Sequence, residues 1–327
     1  MAPRRSGYSG SGYSTAACSK AYTTTYAQTG LAYYVIFLVL FTGIFIATFF
    51  VRRKTGAGKK LIGVPFVVAL FFQTLSRLLA LISNVMYECD GLGINDYLNI
   101  SIASSVMYCL ANWALIVTFA YILNSMLLKQ LQITSSGSKT VFRIIVGVMA
   151  VAMIADLVLS SYVTTSNRYY DFDYGLLILT SYGLSLTVYI LWLISVIISA
   201  AFSLSNISAL RSRRLPGGDL IVWVTALYIA LLVYSILGVV FSSSPLWPVR
   251  HLLSSEASLA LSFISSLSQA LPFITLLCIA KHVSWDQTTV KTDQVYAPVI
   301  QQQATYGYGN GQQDDYYQQT PELVHVR

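Results

Sequence analysis

Charge is scarce in this chain. Only 10% of its 327 residues are Asp, Glu, Lys or Arg, where soluble domains carry about 25%. Histidine is scarcer still. His251, His282 and His325 are the only three, and all fall outside the long apolar runs. An intramembrane zinc hydrolase needs His or carboxylate ligands converging inside a helix bundle, so that class is set aside. An intramembrane aspartyl protease needs two aspartates sharing a proton, and the apolar runs hold one well-embedded carboxylate, Asp156. No base stands beside a serine to activate it. No lysine lies inside the last apolar run before Lys281, which argues against a retinal Schiff base. Internal repeats are missing, and so are the prolines that three-plus-one-plus-three sugar transporters place in spans 1 and 5. The chain is read as a non-enzyme without a cofactor or metal.

Apolar sequence is what the chain has in abundance, at 55% hydrophobic residues. Runs of 18 or more apolar residues read as membrane-spanning helices. Seven emerge, at 31–51, 61–87, 99–128, 141–162, 175–202, 220–242 and 257–281. The fold class expected is all-α: a polytopic seven-helix membrane bundle in the lipid bilayer. Residues 1–30 and 282–327 flank it as disordered tails. The first thirty residues have no apolar core of their own, and the first apolar run is too long for a cleaved signal. It reads as a retained anchor. The C-terminal tail is Gln- and Tyr-rich, with little to bury. Tyr296 and Val299 bound a Tyr-x-x-hydrophobic stretch of the kind read by sorting adaptors, and chance competes with that reading in so tyrosine-rich a tail.

Fourteen of the twenty lysines and arginines fall on one side of the seven spans. The net charge of +7 is therefore a topology signal rather than a nucleic-acid signal. It places the N-terminus outside and the C-terminus in the cytosol, and the plasma membrane is the expected location. Cys18 and Cys89 both fall on the outer side. A disulfide between them and a pair of free thiols are both open. Cys109 and Cys278 sit inside spans as small apolar filler.

Arg77 interrupts the apolar run FFQTLSRLLALISNV. A charge at mid-bilayer costs roughly 2.5–3.5 kcal/mol by insertion scales, so it must face a polar interior. Polar residues recur at helical spacing around it. Gln73, Arg77 and Asn84 share a face of span 2; Ser101, Ser105, Tyr108 and Asn112 one of span 3; Ser258, Ser262, Ser265 and Gln269 one of span 7. Each stripe occupies the outer half of its span. Asp156 on span 4 lies at a depth matching Arg77, which makes it the expected ion-pair partner, with Asn112 and Gln269 serving the remaining donors. Pro65 and Pro272 are expected to kink spans 2 and 7, and Pro272 to act as a hinge. Two readings of the stripes stand: a packing device between helices, and an outward-facing ligand cavity of Gln73, Arg77, Asn84, Tyr108, Asn112, Asp156, Ser262, Ser265 and Gln269.

Seven spans with an outer N-terminus, basic inner loops and a polar outer cavity resemble the architecture of G-protein-coupled receptors over residues 31–281. The resemblance is one of topology. Span 3 ends in TFAYILNSMLLKQ without an acidic-Arg-Tyr triplet, and span 7 carries LPFITLLC in place of Asn-Pro-x-x-Tyr. In style the chain is also similar to seven-span proteins of filamentous fungi, among them receptor-like families and lipid-translocating exporters. The resemblance implies a receptor-like sensor of a small ligand, reporting to a cytosolic signalling or adaptor protein, and Arg77 suggests that the ligand is anionic or carbonyl-bearing. A transporter or lipid translocator, and an organising protein that recruits partners through its tail, are the alternatives. The stripes fade in the inner halves of their spans, which argues mildly against a transport pathway.

Overall fold

A computed structural model describes residues 22–89, 94–132, 136–166, 174–213, 217–243, 255–282 and 285. The described chain is helical almost throughout. Its helices are α1 (Thr25–Lys54), α2 (Val64–Glu88), α3 (Ile94–Ile116), α4 (Asn124–Gln130), α5 (Ser136–Ser166), α6 (Tyr174–Ser212), α7 (Ile221–Ser243) and α8 (Ser255–Lys281). A π-helical segment, Val117–Leu123, joins α3 to α4 without a break, so the two make one span. Seven helices in all are long and apolar enough to cross a membrane. That form follows from the solvent. In hydrocarbon every backbone N–H and C=O must find a partner inside the chain, and a helix supplies them locally.

The apolar runs locate the helices well and their ends less well. α1 begins at Thr25, well before the apolar run, because Thr24 caps it: its Oγ1 accepts from the Ala27 amide at 3.2 Å. α6 continues past the apolar run to Ser212. Pro65 does not kink span 2. It occupies the first turn of α2, where its missing N–H is unneeded and its fixed φ favours helix. Pro272 lies within α8, which runs on through it.

Packing follows a closed ring: α1 on α2, α2 on α3, α3 on α5, α5 on α6, α6 on α7, α7 on α8, and α8 back on α1. The π-helical segment touches α2, α5 and α6, so this span leans into the middle of the ring. Phe41, Phe66 and Phe273 are fully buried and join α1, α2 and α8 through edge-on ring contacts at 5.8–6.0 Å. Large apolar side chains such as Val39, Val151 and Val222 stay exposed on the outside, as a lipid-facing surface requires. One end of the bundle carries Arg52, Arg53, Lys59, Lys60, Lys129, Lys139, Arg211 and Lys281; we call it the basic end. Cys89 is disulfide-bonded, and Cys109 and Cys278 are free. Cys18, the fourth cysteine, lies outside the described residues, as do Tyr296 and Val299.

Candidate functional site

Arg77 points into the bundle and does not pair with Asp156. Its Nη1 donates to the Tyr33 hydroxyl at 3.0 Å and its Nη2 to Gln269 Oε1 at 2.8 Å. The guanidinium carbon lies 5.8 and 5.6 Å from the ring centroids of Phe37 and Phe41, close enough for cation–π attraction. Its Nε is buried with no acceptor. Asp156 takes a hydrogen bond from Ser185 at 2.5 Å instead. The expected pair fails for a topological reason. Matching depth places two residues on one plane but not on one side of it. α2 packs on α1 and α3, whereas α5 packs on α3 and α6.

The gap between the two charges is a cavity of about 350 Å³. Arg77 and Ser76 of α2, Tyr108 and Asn112 of α3, Asp156 of α5, and Tyr189 of α6 stand on its wall. Trp192 of α6 and Tyr234 of α7 complete it. Trp192 is buried, and its indole N–H has no partner. Among the described residues the wall thus carries one carboxylate that no cation neutralises, while the unpaired Arg77 Nε and Trp192 Nε1 are enclosed by protein atoms and do not open onto the cavity. Buried polar groups in native proteins nearly always have partners, so an arginine and a carboxylate on one cavity wall that do not meet leave room for a water or a ligand between them.

A network ties this wall to the rest of the bundle. Gln73 and Gln269 exchange amide hydrogen bonds at 3.0 and 3.2 Å. Gln269 also donates to Asn112 Oδ1 at 3.2 Å, which accepts from the Tyr234 hydroxyl at 3.5 Å. Tyr234 and Tyr108 share a hydrogen bond at 2.5 Å. At the other end, Tyr33 bonds Ser266 at 2.6 Å. The chain of contacts crosses α1, α2, α3, α7 and α8. Gln269 is its hub and lies three residues before Pro272. Gly238 keeps one wall in place. A methyl group there would stand 2.2 Å from the Tyr189 ring, so only glycine lets that ring lie against α7.

A second, smaller cavity of about 180 Å³ adjoins the first through Ala80, Ser104 and Ser105. Tyr34, Asn84, Tyr87 and Tyr97 line it. It lies toward the end opposite the basic one, where α2 gives way to α3. The two cavities are thus neighbours along α2 and α3, with Arg77 on the wall of the larger one.

Not every expected residue reaches the site. Arg77, Tyr108, Asn112 and Asp156 line the main cavity, and Asn84 lines the adjoining one. Gln73 and Gln269 are buried behind that wall. Ser262 bonds back to the Ser258 carbonyl of its own helix at 2.9 Å. Ser262 and Ser265 line neither cavity. Ser266, one residue along, faces Tyr33 instead. Tyr33, Ser185, Tyr189 and Tyr234 escaped sequence reasoning because tyrosine and serine blend into membrane helices without the rarity that marks an arginine.

A second polar cluster lies nearer the basic end, overturning the impression that polar groups fade there. Asn124 is completely buried. Its amide donates to the Phe119 and Ala120 carbonyls of the π-helical segment and to Ser199 Oγ, at 3.3, 3.0 and 2.9 Å. Its Oδ1 accepts from Ser203 at 2.8 Å, and Tyr228 bonds both serines. No family model matches the chain, and neither a curated protein nor a solved structure does.

Proposed function

We propose that this chain is a receptor-like membrane sensor whose small ligand occupies the cavity between Arg77 and Asp156. The observation that carries the reading is that two opposite charges share one cavity wall without meeting. Leaving charges unpaired at this depth is costly, and a bound molecule with complementary groups offsets the cost. An anionic or carbonyl oxygen fits the Arg77 guanidinium on the cavity wall. A hydrogen-bond donor fits Asp156.

In this reading the protein sits in the plasma membrane, the basic end faces the cytosol as the positive-inside rule favours, and the smaller cavity lies toward the outer side. A ligand oxygen at Arg77 competes with Gln269 for the guanidinium, which loosens the bonds from Gln269 to Gln73 and Asn112. The change is delivered to α8 beside Pro272, a position where a helix lacks one backbone bond and bends at low cost. The basic loops then present the changed surface to a cytosolic signalling or adaptor protein.

The test is thermal unfolding of the purified protein against a panel of small carboxylates and carbonyl compounds. Wild type should be stabilised by members of the panel; Arg77→Gln should lose that stabilisation, and Asp156→Asn should lose it for members carrying a donor. Stabilisation unchanged in Arg77→Gln overturns the site. Accumulation of the same compound inside proteoliposomes, dependent on Arg77, replaces the sensor reading with a transporter.

A further inference from the structure

A groove separate from the ligand cavity runs along the outside of the bundle between α3 with its π-helical extension and α5. It measures about 370 Å³ and is lined by Trp113, Val117 and Tyr121 on one side and Arg143, Val146 and Gly147 on the other. α5 has the smallest buried share of any span, 17%, and Ile144 and Val148 beside the groove are exposed. The groove therefore faces lipid. Gly147 has nothing within 4 Å of where a side chain would begin, so its missing side chain is part of what hollows the groove.

Arg143 is the unusual member. It stands seven residues into α5, ~10 Å along the axis from Ser136, on the lipid-exposed surface near the basic end. Its contact is the Tyr121 ring, 6.0 Å away, and among the described residues it has no hydrogen bond or ion pair. No carboxylate lines the groove. Lys139 lies one helical turn nearer the membrane edge on the same face. Apolar walls that end in an unpaired guanidinium, with a second cation outside it, match a lipid carrying an acyl chain and a negative phosphate. Basic pockets between spans bind anionic headgroups for this reason.

We propose that this groove seats an anionic phospholipid. One acyl chain lies along Trp113, Val146 and Gly147, and the phosphate lies against Arg143, with Lys139 above it. The seat needs no ligand in the Arg77 cavity and stands independently of the sensor reading.

The experiment is native mass spectrometry of the full chain, released from detergent containing phosphatidylglycerol and phosphatidylcholine in equal amounts with identical acyl chains. Wild type should retain phosphatidylglycerol preferentially. Arg143→Gln should lower that retention about fivefold, the effect of one cation near the headgroup layer. Gly147→Leu, at a position where a Cβ meets nothing within 4 Å, should lower retention of the bound lipid by filling the groove. Arg213→Gln, elsewhere on the basic end, should leave retention unchanged. Wild-type retention in Arg143→Gln overturns the proposal. So does a drop in Arg143→Gln without one in Gly147→Leu, which leaves charge but no seat. An equal drop in Arg213→Gln does so too, because it reduces the effect to general surface charge.

Discussion

The two polar clusters of this bundle are built from similar residues and do opposite things. Around Asn124, every side-chain group has a partner in the cluster: the asparagine, Ser199, Ser203, Tyr228 and two carbonyls of the π-helical segment satisfy one another. Around Arg77 the accounts do not close. Arg77 Nε, Trp192 Nε1 and Asn84 Oδ1 are buried without partners, and a cavity lies between the charges. A closed network in an apolar medium fixes one arrangement of helices. An open one leaves work for a molecule that is not part of the chain. The difference separates a joint from a binding site, although both began as polar residues in apolar runs.

The largest expected effect breaks the closed cluster. Asn124→Ala removes the acceptor of the Ser203 hydroxyl and the amide that serves Ser199 and the Phe119 and Ala120 carbonyls, four hydrogen bonds in all. Thermal unfolding in detergent should show a loss of about 3 kcal/mol, with bonds between membrane helices worth ~0.6 each and stranded groups costing more. Gly238→Ala should come next. Its new methyl collides with the Tyr189 ring, and overpacking of this kind costs about 1–3 kcal/mol. The same variant should disturb the cavity wall, read as altered fluorescence of the neighbouring Trp192.

Tyr33→Phe removes the hydroxyl that bridges Arg77 and Ser266, and a loss of about 1 kcal/mol is expected. Arg77→Gln sharpens the comparison most. It abolishes two hydrogen bonds but also removes a buried charge with no counter-ion, so the unliganded protein should change by less than about 1 kcal/mol. An arginine that costs as much to remove as Asn124 would make the Arg77 cluster a joint as well. Paired Ser262→Ala and Ser265→Ala substitutions should stay within about 0.5 kcal/mol and leave ligand stabilisation unaltered, since neither residue reaches a cavity.

Much of this was legible beforehand, in a specific way. The seven spans follow from hydropathy because a bilayer demands runs of ~20 apolar residues. Arg77, Asn112 and Gln269 could be assigned to the interior because a lone polar residue in such a run has nowhere else to go. The partner of Arg77 could not be found that way. Depth along a helix is a matter of counting, whereas the angle around the bundle depends on which helix neighbours which. Ser262 and Ser265 illustrate the same limit within one helix. They share a periodic stripe with Gln269, yet Ser266, at i+4 from Ser262 and three residues before Gln269, is the serine that meets Tyr33. The Asn124 cluster was missed although Ser199 and Ser203 share one face of α6 at i, i+4, because no charged residue drew attention to them and the π-helical segment leaves no mark in an unbroken apolar run.

Composition alone determined that this chain lives in a membrane as helices, since hydrocarbon leaves a polar backbone few other forms. It also determined that Arg77 and Asp156 must avoid lipid. The closed order of the ring decided the rest. By setting α3 between α2 and α5, the tertiary structure held the two charges apart, gave Arg77 to Tyr33 and Gln269, and left a cavity where an ion pair had been expected.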